Sequence, residues 1–563
     1  MNTPNPAVVG QRAARRLPRV ALYLLCLAYV LPGVFGRDPW KSAEISAVGH
    51  MLAMLGGQTS WLAPSLPGLG SDGSVLPYWL GAASLQLLQG WVGMTIAARL
   101  PFALLLLATL TLTWYATYYL ARSEAAQPVA YAFGGEAQPV DYARAIADGA
   151  VLALMACLGL LQLGHETTPE LVQLASVSWL LFGLAIGPYR PRQARLAVLI
   201  APMMLAASGA ATTALLLCVG CGVIGWRSQA DALRRLVPWI AAAAVLALIT
   251  ATLSGAWVVR LATRPAYLLD FPELVAWFAW PVWPLVGWTL WQWRYQLNRR
   301  HIALPLTVVG LMLGVSFAMG SSDKALMLAL PGMSVLAAFA LPTLRRSVAA
   351  AIDWFSVFFF SFCALTIWVI YSALQTGYPI QPAANVARLA PEYVSRFQAL
   401  ALLVALAITL IWLWLVRWRT GRHREALWKS MVLPASGVVL NWTLLMTLWL
   451  PLLDHARSYR PLVERVARHV PAGACLGTVG LNKGQTAALM VFGPGWKVRS
   501  SAEVLTGCDW QVESLPWPEP ADERAGWRIV SRERRPTDRE EALLIRQRIA
   551  RGPANPAPAS TRP

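Results

Sequence analysis

Residues 397–424, FQALALLVALAITLIWLWLVRWRTGRHR, contain the pattern that decides the fold. The first 20 residues of this stretch, 397–416, carry no charge, and Arg417, Arg419, Arg422 and Arg424 follow directly. A helix that crosses a bilayer needs about 20 predominantly apolar residues. Arginine and lysine are retained on the cytoplasmic side of such a helix. The stretch therefore predicts a transmembrane helix whose orientation is set by the charge at one end.

Apolar runs of this kind recur from Val20 to Leu450, and the segments between them alternate in charge. One set of segments is rich in arginine: Arg12, Arg15, Arg16 and Arg19; Arg190, Arg192 and Arg195; Arg227, Arg234 and Arg235; Arg294, Arg299 and Arg300; Arg345 and Arg346. The other set carries most of the loop Asp, Glu and His. By the positive-inside rule, this alternation places the potentially reactive side chains together on the external face.

The pattern predicts an all-α polytopic membrane protein with about thirteen spans and a cytoplasmic N-terminus. The spans are expected at residues 18–35, 99–120, 148–164, 170–188, 195–209, 211–226, 236–256, 273–293, 301–320, 325–342, 350–373, 397–416 and 431–450. An odd number of spans places the C-terminus on the external side. Although the net charge is +19, the arginines are divided among loops and form no single basic run. We therefore expect the lipid bilayer, and not nucleic acid, to be the partner of these charges.

The predicted domains are a transmembrane domain at 1–451, a soluble external domain at 452–551 and a disordered tail at 552–563. Within the first domain, residues 36–98 form a large external loop whose stretches at 45–52 and 78–83 are typical of amphipathic helices, which can lie in the interface plane. The soluble domain has the mixture of short apolar runs and charged stretches that indicates a small α+β fold, with a helix near 538–551.

Two of the seven cysteines lie outside the predicted spans, Cys475 and Cys508. An external domain is in an oxidising compartment, where a disulfide forms and persists. We therefore predict a disulfide between them.

Residues 37–44, RDPWKSAE, place two carboxylates and two cations just outside the first span. A carboxylate here can take a proton from an acceptor hydroxyl, and the cations can hold a lipid-linked phosphate. An ordinary charged loop that anchors the first helix is the alternative. Residues 165–170, HETTPE, lie on the same predicted face, where helix capping by Thr168 explains part of the motif but not the His-Glu pair.

These stretches resemble the integral-membrane glycosyltransferases of the GT-C class, particularly the bacterial group around the lipid A aminoarabinose transferase and the protein O-mannosyltransferases. Residues 43–46, AEIS, resemble the family's Ala-Glu-Ile-Ser, and counting back from them puts Asp38 on the family Asp and Lys41 on a basic position. Leu76, Tyr78 and Trp79 resemble the end of the family's Glu-Lys-Pro-Pro-Leu-Tyr-Tyr-Trp segment.

Two further pairs resemble family features, and three positions depart from the family. His165 with Glu170 resembles its His…Asp pair, with Glu in place of Asp, and Lys324 ahead of 330–331, LP, resembles its basic residue before a Leu-Pro helix. Pro39 stands in place of a family Glu. Gly73 stands in place of a Lys, with Asp72 matching the preceding Glu. These departures leave open whether activity is altered, reduced or lost.

The resemblance implies an inverting transferase that uses a polyprenyl-phosphate-sugar donor and an envelope lipid, glycan or protein acceptor, at the periplasmic face of a bacterial inner membrane. It implies Asp38 as the base, with Glu44 orienting it or acting as a second base. The residues expected to bind substrate are Arg37, Lys41, Tyr78, Glu170, Lys324 and Arg457. Asp72, His165 and Glu166 are expected as ligands of a divalent metal ion, Zn²⁺, Mg²⁺ or Mn²⁺.

Two other functions remain open. A transporter or flippase of a lipid-linked substrate predicts internal repeats and charges at mid-membrane depth, neither of which is conspicuous in the sequence. A catalytically degenerate scaffold of the same fold is consistent with Pro39 and Gly73.

Overall fold

The computed structural model describes residues 5–228, 230–257, 267–420, 426–500, 507–520, 522–538 and 540–549. Most of these residues are helical, and a small sheet follows near the C-terminus. The helices are α1 (Arg19–Val30), α2 (Ala43–Leu55), α3 (Leu76–Val92), α4 (Met94–Ala121), α5 (Pro139–Ala156), α6 (Leu158–Leu163), α7 (Pro169–Ile186), α8 (Pro191–Ala207), α9 (Ala211–Arg227), α10 (Asp231–Arg234), α11 (Val237–Ser254), α12 (Tyr267–Phe278), α13 (Val282–Gln292), α14 (Arg300–Ala318), α15 (Asp323–Met327), α16 (Leu330–Ala338), α17 (Arg346–Thr376), α18 (Ile380–Leu389), α19 (Ala399–Thr420), α20 (Val432–Leu445), α21 (Leu450–Arg457), α22 (Arg460–Ala467) and α23 (Lys483–Phe492). The strands are β1 (Cys475–Val479), β2 (Lys497–Ser500), β3 (Trp510–Pro516), β4 (Trp527–Glu533) and β5 (Glu541–Arg548).

Within the described residues, seven helices are long and apolar enough to cross a membrane, or nine spans if each of two bent helix pairs counts as one. Helices occupy all thirteen predicted positions, but several are short; α1, for example, has 12 residues. The polytopic helical architecture is therefore confirmed, and the count of about thirteen spans is not.

The two bent pairs are broken at prolines. The axes of α12 and α13 meet at 97°, with Pro281 between them, and the axes of α20 and α21 meet at 71°, with Pro451 in the first turn of α21. Proline lacks the N–H that continues a helix, so it fits a helix start and interrupts a helix interior. The second bend turns α21 away from α20 and toward the residues that follow α1.

The helices differ in what covers them. In α16 every residue is buried, whereas α19 has 11% of its most apolar window buried. Both are apolar around their circumference. The large side chains exposed on α17 and α19, including Phe358, Phe362, Leu400 and Leu410, therefore form a lipid-facing surface, and α16 forms the protein core.

The segment between α1 and α4 folds back over the bundle through α2 and α3. The two stretches predicted to lie in the membrane interface are helical, and their interface position stays a prediction. Helix α2 is mostly buried between α3 and α23 of the C-terminal region. Gly49 shows how close this packing is: a Cβ there would stand 2.5 Å from the Cβ of Ala487. Helix α3 does expose apolar side chains, among them Leu87 and Trp91.

The C-terminal region contains one five-stranded sheet in the order β2-β1-β3-β5-β4. Strand β1 pairs in parallel with β2 and β3, and the other pairs are antiparallel. The predicted helix near 538–551 is wrong, because 541–548 form strand β5 between β3 and β4. Residues 542–546 are consecutively buried there, which suits a central strand covered on both faces. Cys475 and Cys508 form the predicted disulfide, with 4.9 Å between their Cα atoms.

Candidate active site

The candidate site forms where the chain leaving α1 meets the chain leaving α21. Trp40 and Ser458 form an isolated antiparallel bridge, and the N–H of Lys41 donates to the carbonyl of Arg457 at 3.0 Å. This pairing brings residues about 38–41 alongside 457–460, although some 420 positions separate them. The polar side chains of both segments therefore converge at one edge of the helical domain.

Asp38 is held at this edge by Ser458 and Arg460, and we call these three residues the Asp38 cluster. Arg460 donates from Nη2 to Oδ1 at 2.6 Å and from Nε to Oδ2 at 2.8 Å, and the Ser458 hydroxyl donates to Oδ2 at 3.0 Å. The Asp38 side chain is 15% exposed and that of Arg460 is 46% exposed. The carboxylate is thus oriented by its partners and remains reachable from outside.

Trp40 lies next to the Asp38 cluster and contacts Asp454 and two arginines. Its indole N–H donates to Asp454 Oδ1 at 2.8 Å, and the same oxygen accepts the backbone N–H of Asp38 at 3.3 Å. The guanidinium groups of Arg37 and Arg457 lie 4.5 and 5.1 Å from the indole ring, within the range of cation–π attraction. Arg457, predicted to bind substrate, therefore contacts the indole ring next to Asp38.

Glu44 lies deeper, in what we call the Glu44 cluster with Arg37, Arg99 and Thr167. Its Oε1 atom accepts from Arg37 Nη2 at 2.8 Å, Arg99 Nε at 3.1 Å and the Thr167 hydroxyl at 3.2 Å. Its Oε2 accepts the backbone N–H of Trp40 at 3.0 Å. The side chains of Glu44 and Arg37 are 1% and 0% exposed.

In the Glu44 cluster, both Glu44 and Arg37 remain ionised at neutral pH. Burial would raise the pKa of Glu44, but the positive charges of Arg37 and Arg99 outweigh it, and the pKa lies below its ordinary value. Burial lowers the pKa of Arg37 to about 10, so this guanidinium is still protonated at neutral pH. The cluster is a buried group of two guanidinium groups and one carboxylate without access for a substrate, which does not fit Glu44 as a second base or Arg37 as a direct phosphate ligand.

Arg99 links the two clusters. Besides Glu44, it binds the backbone carbonyls of Arg37 and Asp38, the second through Nη2 at 2.7 Å. Sequence reasoning missed this residue. Its signal was an arginine at the external end of an apolar run, where the positive-inside pattern does not place one.

His165 and Glu166 serve the packing of the loop between α6 and α7. The ring nitrogens of His165 lie 2.6 and 2.7 Å from the carbonyls of Leu161 and Tyr29, and its own carbonyl accepts from Arg37 at 2.8 Å. Glu166 accepts from Gln162 at 2.7 Å, and burial raises its pKa. Both ring nitrogens of His165 are thus engaged by the backbone.

A third group, the Asp72 cluster, comprises Asp72, Tyr78 and Lys483. The Tyr78 hydroxyl donates to Asp72 Oδ2 at 2.7 Å, and Lys483 Nζ lies 3.8 Å from the same oxygen. Lys483 begins α23, whose start is fixed by a reciprocal capping box between Asn482 and Gln485. The C-terminal region therefore places a cation beside Asp72.

Gly73 cannot exchange its hydrogen for a side chain without rearrangement. Its φ is +77°, and a Cβ there would stand 2.6 Å from the Cα of Ala256. The lysine that the family has at this position is therefore sterically excluded in this chain.

Glu170 and Lys324 form an ion pair at 2.8 Å, with side chains 20% and 37% exposed. This joins the start of α7 to the start of α15 and brings two of the residues predicted to bind substrate into contact. Lys41 is more loosely placed, with its Nζ 4.0 Å from Asp538 Oδ2 and its side chain 45% exposed.

The predicted metal ligands do not fit a common metal site. Asp72 is bound by Tyr78 and Ser74, while His165 and Glu166 have the separate partners described above. Across the described parts of the chain, no group of three or more His, Cys, Asp or Glu side chains could hold a metal ion. The metal ion remains a sequence-based prediction without geometric support.

Comparison with solved structures identifies the fold of this chain. No family model matches the chain, and no curated protein is significantly similar to it. The crystal structure of ArnT from Cupriavidus metallidurans bound to undecaprenyl phosphate matches with a TM-score of 0.62 and 14% identity, over 94% of this chain and 97% of that chain. The chain has the ArnT fold. The apo structure of the same protein matches with a TM-score of 0.59, also at 14% identity. The predicted GT-C resemblance is therefore confirmed at the level of the fold.

Proposed function

We propose that this protein is an inverting membrane glycosyltransferase that moves a sugar from a polyprenyl-phosphate donor to an envelope lipid, glycan or protein acceptor. The observation that carries the proposal is an oriented, partly exposed carboxylate, Asp38, at the edge of the helical domain in an ArnT-like fold. One of the matching ArnT structures holds undecaprenyl phosphate, which supports a lipid phosphate of this type as the donor's carrier. We place the reaction at the periplasmic face of a bacterial inner membrane.

In the proposed reaction, Asp38 is the general base. The acceptor hydroxyl attacks the anomeric carbon of the donor sugar, the bond from that carbon to the phosphate oxygen breaks, and the lipid phosphate leaves with the electron pair. Asp38 takes the acceptor's proton. Attack opposite to the leaving phosphate inverts the anomeric configuration. Ser458 and Arg460 hold the carboxylate in one orientation before the substrate arrives.

The cations near Asp38 have separate tasks. Arg460, Lys41 and Arg457 are at least partly exposed, so they can contact a donor phosphate and stabilise the charge that grows on it as it leaves. Lys324 is partly exposed and is held by Glu170 on the neighbouring helix start, where it can serve the same phosphate or the sugar.

We assign the Glu44 cluster a positioning role. Arg99 is held by Glu44 and donates to the backbone carbonyls of Arg37 and Asp38. It therefore fixes the backbone from which the side chain of Asp38 projects. Glu44 therefore acts on Asp38 through Arg99. The same reasoning removes Arg37 from direct contact with the donor.

The Asp72 cluster offers a substitute for the missing family lysine. Gly73 has no room for a lysine side chain, but Lys483 reaches Asp72 from α23. We propose that Asp72, Tyr78 and Lys483 line the sugar-binding part of the site and that Lys483 supplies the positive charge there.

A non-catalytic scaffold of the same fold is the second candidate. It is favoured by the direct ion pair between Asp38 and Arg460, which occupies both carboxylate oxygens, and by the loss of the family residues at Pro39 and Gly73. The two candidates differ in whether Asp38 is needed once the protein is folded.

The test is mass spectrometry of envelope lipids, glycans and secreted proteins from a deletion strain, complemented with wild type, Asp38→Asn or Asp231→Asn. Asparagine keeps the size of Asp38 and removes its charge, and Asp231 is an exposed carboxylate at the start of α10. We expect a mass shift in the deletion strain that wild type and Asp231→Asn restore and Asp38→Asn does not.

Each of the other outcomes has a definite meaning. Restoration by Asp38→Asn, at equal protein level in the membrane, would contradict Asp38 as the base and favour the scaffold. Build-up of a lipid-linked sugar on the cytoplasmic side would overturn the transferase and favour a flippase.

A further inference from the structure

A second region of the helical domain has the form of a ligand site, at the other end of α1 from Asp38. A cavity of about 550 Å³ lies between α1, α4 and α5. Its inner wall is apolar and includes Leu22, Cys26, Leu107, Leu110 and Val151. The cavity runs along α1 as far as Cys26, and its arginine end, at Arg16 and Arg19, is separated from the Asp38 cluster by most of the roughly 18 Å length of that helix.

Three arginines stand at the mouth of the cavity: Arg16, Arg19 and Arg144. Arg16 and Arg19 are exposed, and neither forms an ion pair or a side-chain hydrogen bond within the described part of the chain. Arg144 lies 3.7 Å from Asp141, with its side chain 33% exposed. Three guanidinium groups around one opening form a strong site for an anion, and arginine binds phosphate oxygens with two parallel hydrogen bonds.

Two hydrogen bonds fix the floor of the cavity. The buried carboxylate of Asp148 accepts the backbone N–H of Leu17 at 2.8 Å and the indole N–H of Trp114 at 2.8 Å. These bonds tie the segment before α1 to α4 and α5 and fix where Arg16 projects. Each oxygen of Asp148 accepts from a donor other than the arginines. Within the described residues this carboxylate therefore attracts Arg16 and Arg144 by charge without a hydrogen bond or ion pair to either, and their guanidinium N–H groups can bind an external anion.

We propose that this cavity binds an anionic phospholipid, with one acyl chain along the apolar wall and the phosphate between Arg16, Arg19 and Arg144. A basic pocket between helices of the apolar bundle, at an arginine-rich end of the protein, has the chemistry that lipid phosphates prefer. An apolar wall below a cationic mouth matches a chain attached to a phosphate. The phosphate of the proposed donor is expected at the Asp38 cluster, at the opposite end of α1. The lipid site is therefore independent of the proposed function.

The test measures lipid binding to the purified full-length protein in detergent by native mass spectrometry, with phosphatidylglycerol and phosphatidylcholine as probes. The test variant is Arg16→Gln/Arg19→Gln/Arg144→Gln. We expect it to bind phosphatidylglycerol about 100-fold more weakly, because each arginine near a membrane surface contributes about a factor of five. Binding of phosphatidylcholine should be weak in both proteins.

The matched control is Arg190→Gln/Arg192→Gln/Arg195→Gln. It removes the same number of charges from another arginine-rich segment, where all three side chains are exposed. This variant should bind phosphatidylglycerol like the wild type. Equal loss in both triple variants would show general electrostatic attraction and would overturn the site, as would equal binding of the two lipids by the wild type.

A cavity-filling variant tests the acyl-chain half of the proposal and covers the case in which the triple variant does not fold. Thr111 lines the cavity from α4, and Thr111→Trp puts an indole into the space assigned to the chain with every arginine intact. Phosphatidylglycerol binding should fall at least tenfold. Unchanged binding would contradict the proposal, and so would displacement of phosphatidylglycerol by an equimolar amount of undecaprenyl phosphate.

Discussion

Glu44 and Asp38 lie six residues apart in one short stretch, yet the structure gives their charges opposite surroundings. Glu44 is paired within the helical domain, with Arg37 and Arg99, and its side chain is 1% exposed. Asp38 is paired with Arg460 at the start of α22, and the side chain of Arg460 is 46% exposed. Asp72 resembles Asp38 in this respect, because its cation, Lys483, also comes from the C-terminal region and is 40% exposed.

The comparison separates charges that hold the fold from charges that can react. A carboxylate buried among fixed cations cannot exchange them for a substrate, and removing it leaves uncompensated charge. A carboxylate whose cation is solvated loses little when that cation moves, because exposed ion pairs contribute little to stability. The four predictions below test this division, from the largest expected effect to the smallest.

Replacing Glu44 should have the largest effect on stability. Glu44→Ala leaves Arg37 and Arg99 as unpaired buried charges, which costs about 3–5 kcal/mol. We expect little folded protein in the membrane, measured by fluorescence-detected size-exclusion chromatography of detergent extracts. Glu124→Ala, which changes an exposed glutamate, is the control and should extract like the wild type. A normal yield of folded Glu44→Ala would show that the Glu44 cluster is not structural.

Restoring the family lysine at Gly73 should destabilise the protein by about 1–3 kcal/mol through overpacking. The control is Gly57→Lys, because Gly57 also has a positive φ, +65°, but a Cβ there would have no other atom within 4 Å, whereas a Cβ at Gly73 would meet Ala256. Thermal melting of both variants separates steric exclusion from backbone strain. Equal melting temperatures would refute the claim that this chain has no room for the lysine.

Arg460→Gln should change stability by no more than about 0.2–1 kcal/mol, since the pair with Asp38 is solvent-exposed on the arginine side. Its effect should appear in transfer instead, as a fall in kcat larger than the rise in KM for the donor, because Arg460 is proposed to orient Asp38 and to stabilise the charge that grows on the leaving phosphate. Arg465→Gln breaks another exposed pair, with Glu392, and should alter neither. A variant that melts several degrees lower with normal kinetics would reverse the role assigned to Arg460.

The smallest expected effect is a loss of stability at acidic pH. The pKa of Glu44 is lowered in the folded state from its ordinary value of 4.5. Its contribution to stability is therefore fully present above pH 4.5 and is lost as the pH falls through the lower, folded-state pKa. Melting temperatures between pH 7 and pH 3.5 should fall below pH 4.5 more steeply for wild type than for Glu44→Gln. Parallel curves would mean that Glu44 is not held ionised by its partners.

The sequence predicted what depends on local pattern. Apolar runs and arginine-rich segments located the helices, and the charged residues after α1 indicated the segment from which we propose that the base comes. It did not distinguish Asp38 from Glu44, because burial depends on Arg99 and Thr167, which are far away in the chain. It also missed Lys483 as the partner of Asp72, because that contact requires the packing of α23 on the first loop. Strand β5 was mistaken for a helix because its four apolar residues show no period of their own.

The central claim is that Asp38 reacts and Glu44 supports, and the most direct test compares Asp38→Asn with Glu44→Gln in one preparation. Melting temperature and transfer rate per folded molecule would be measured in membrane vesicles, with the modification found in the deletion strain as the readout. The account predicts that Asp38→Asn melts like wild type and transfers about 10²–10⁴-fold more slowly, as expected for loss of a general base. It predicts that Glu44→Gln melts lower and that its folded fraction retains more activity than Asp38→Asn. Normal transfer by folded Asp38→Asn would contradict the account.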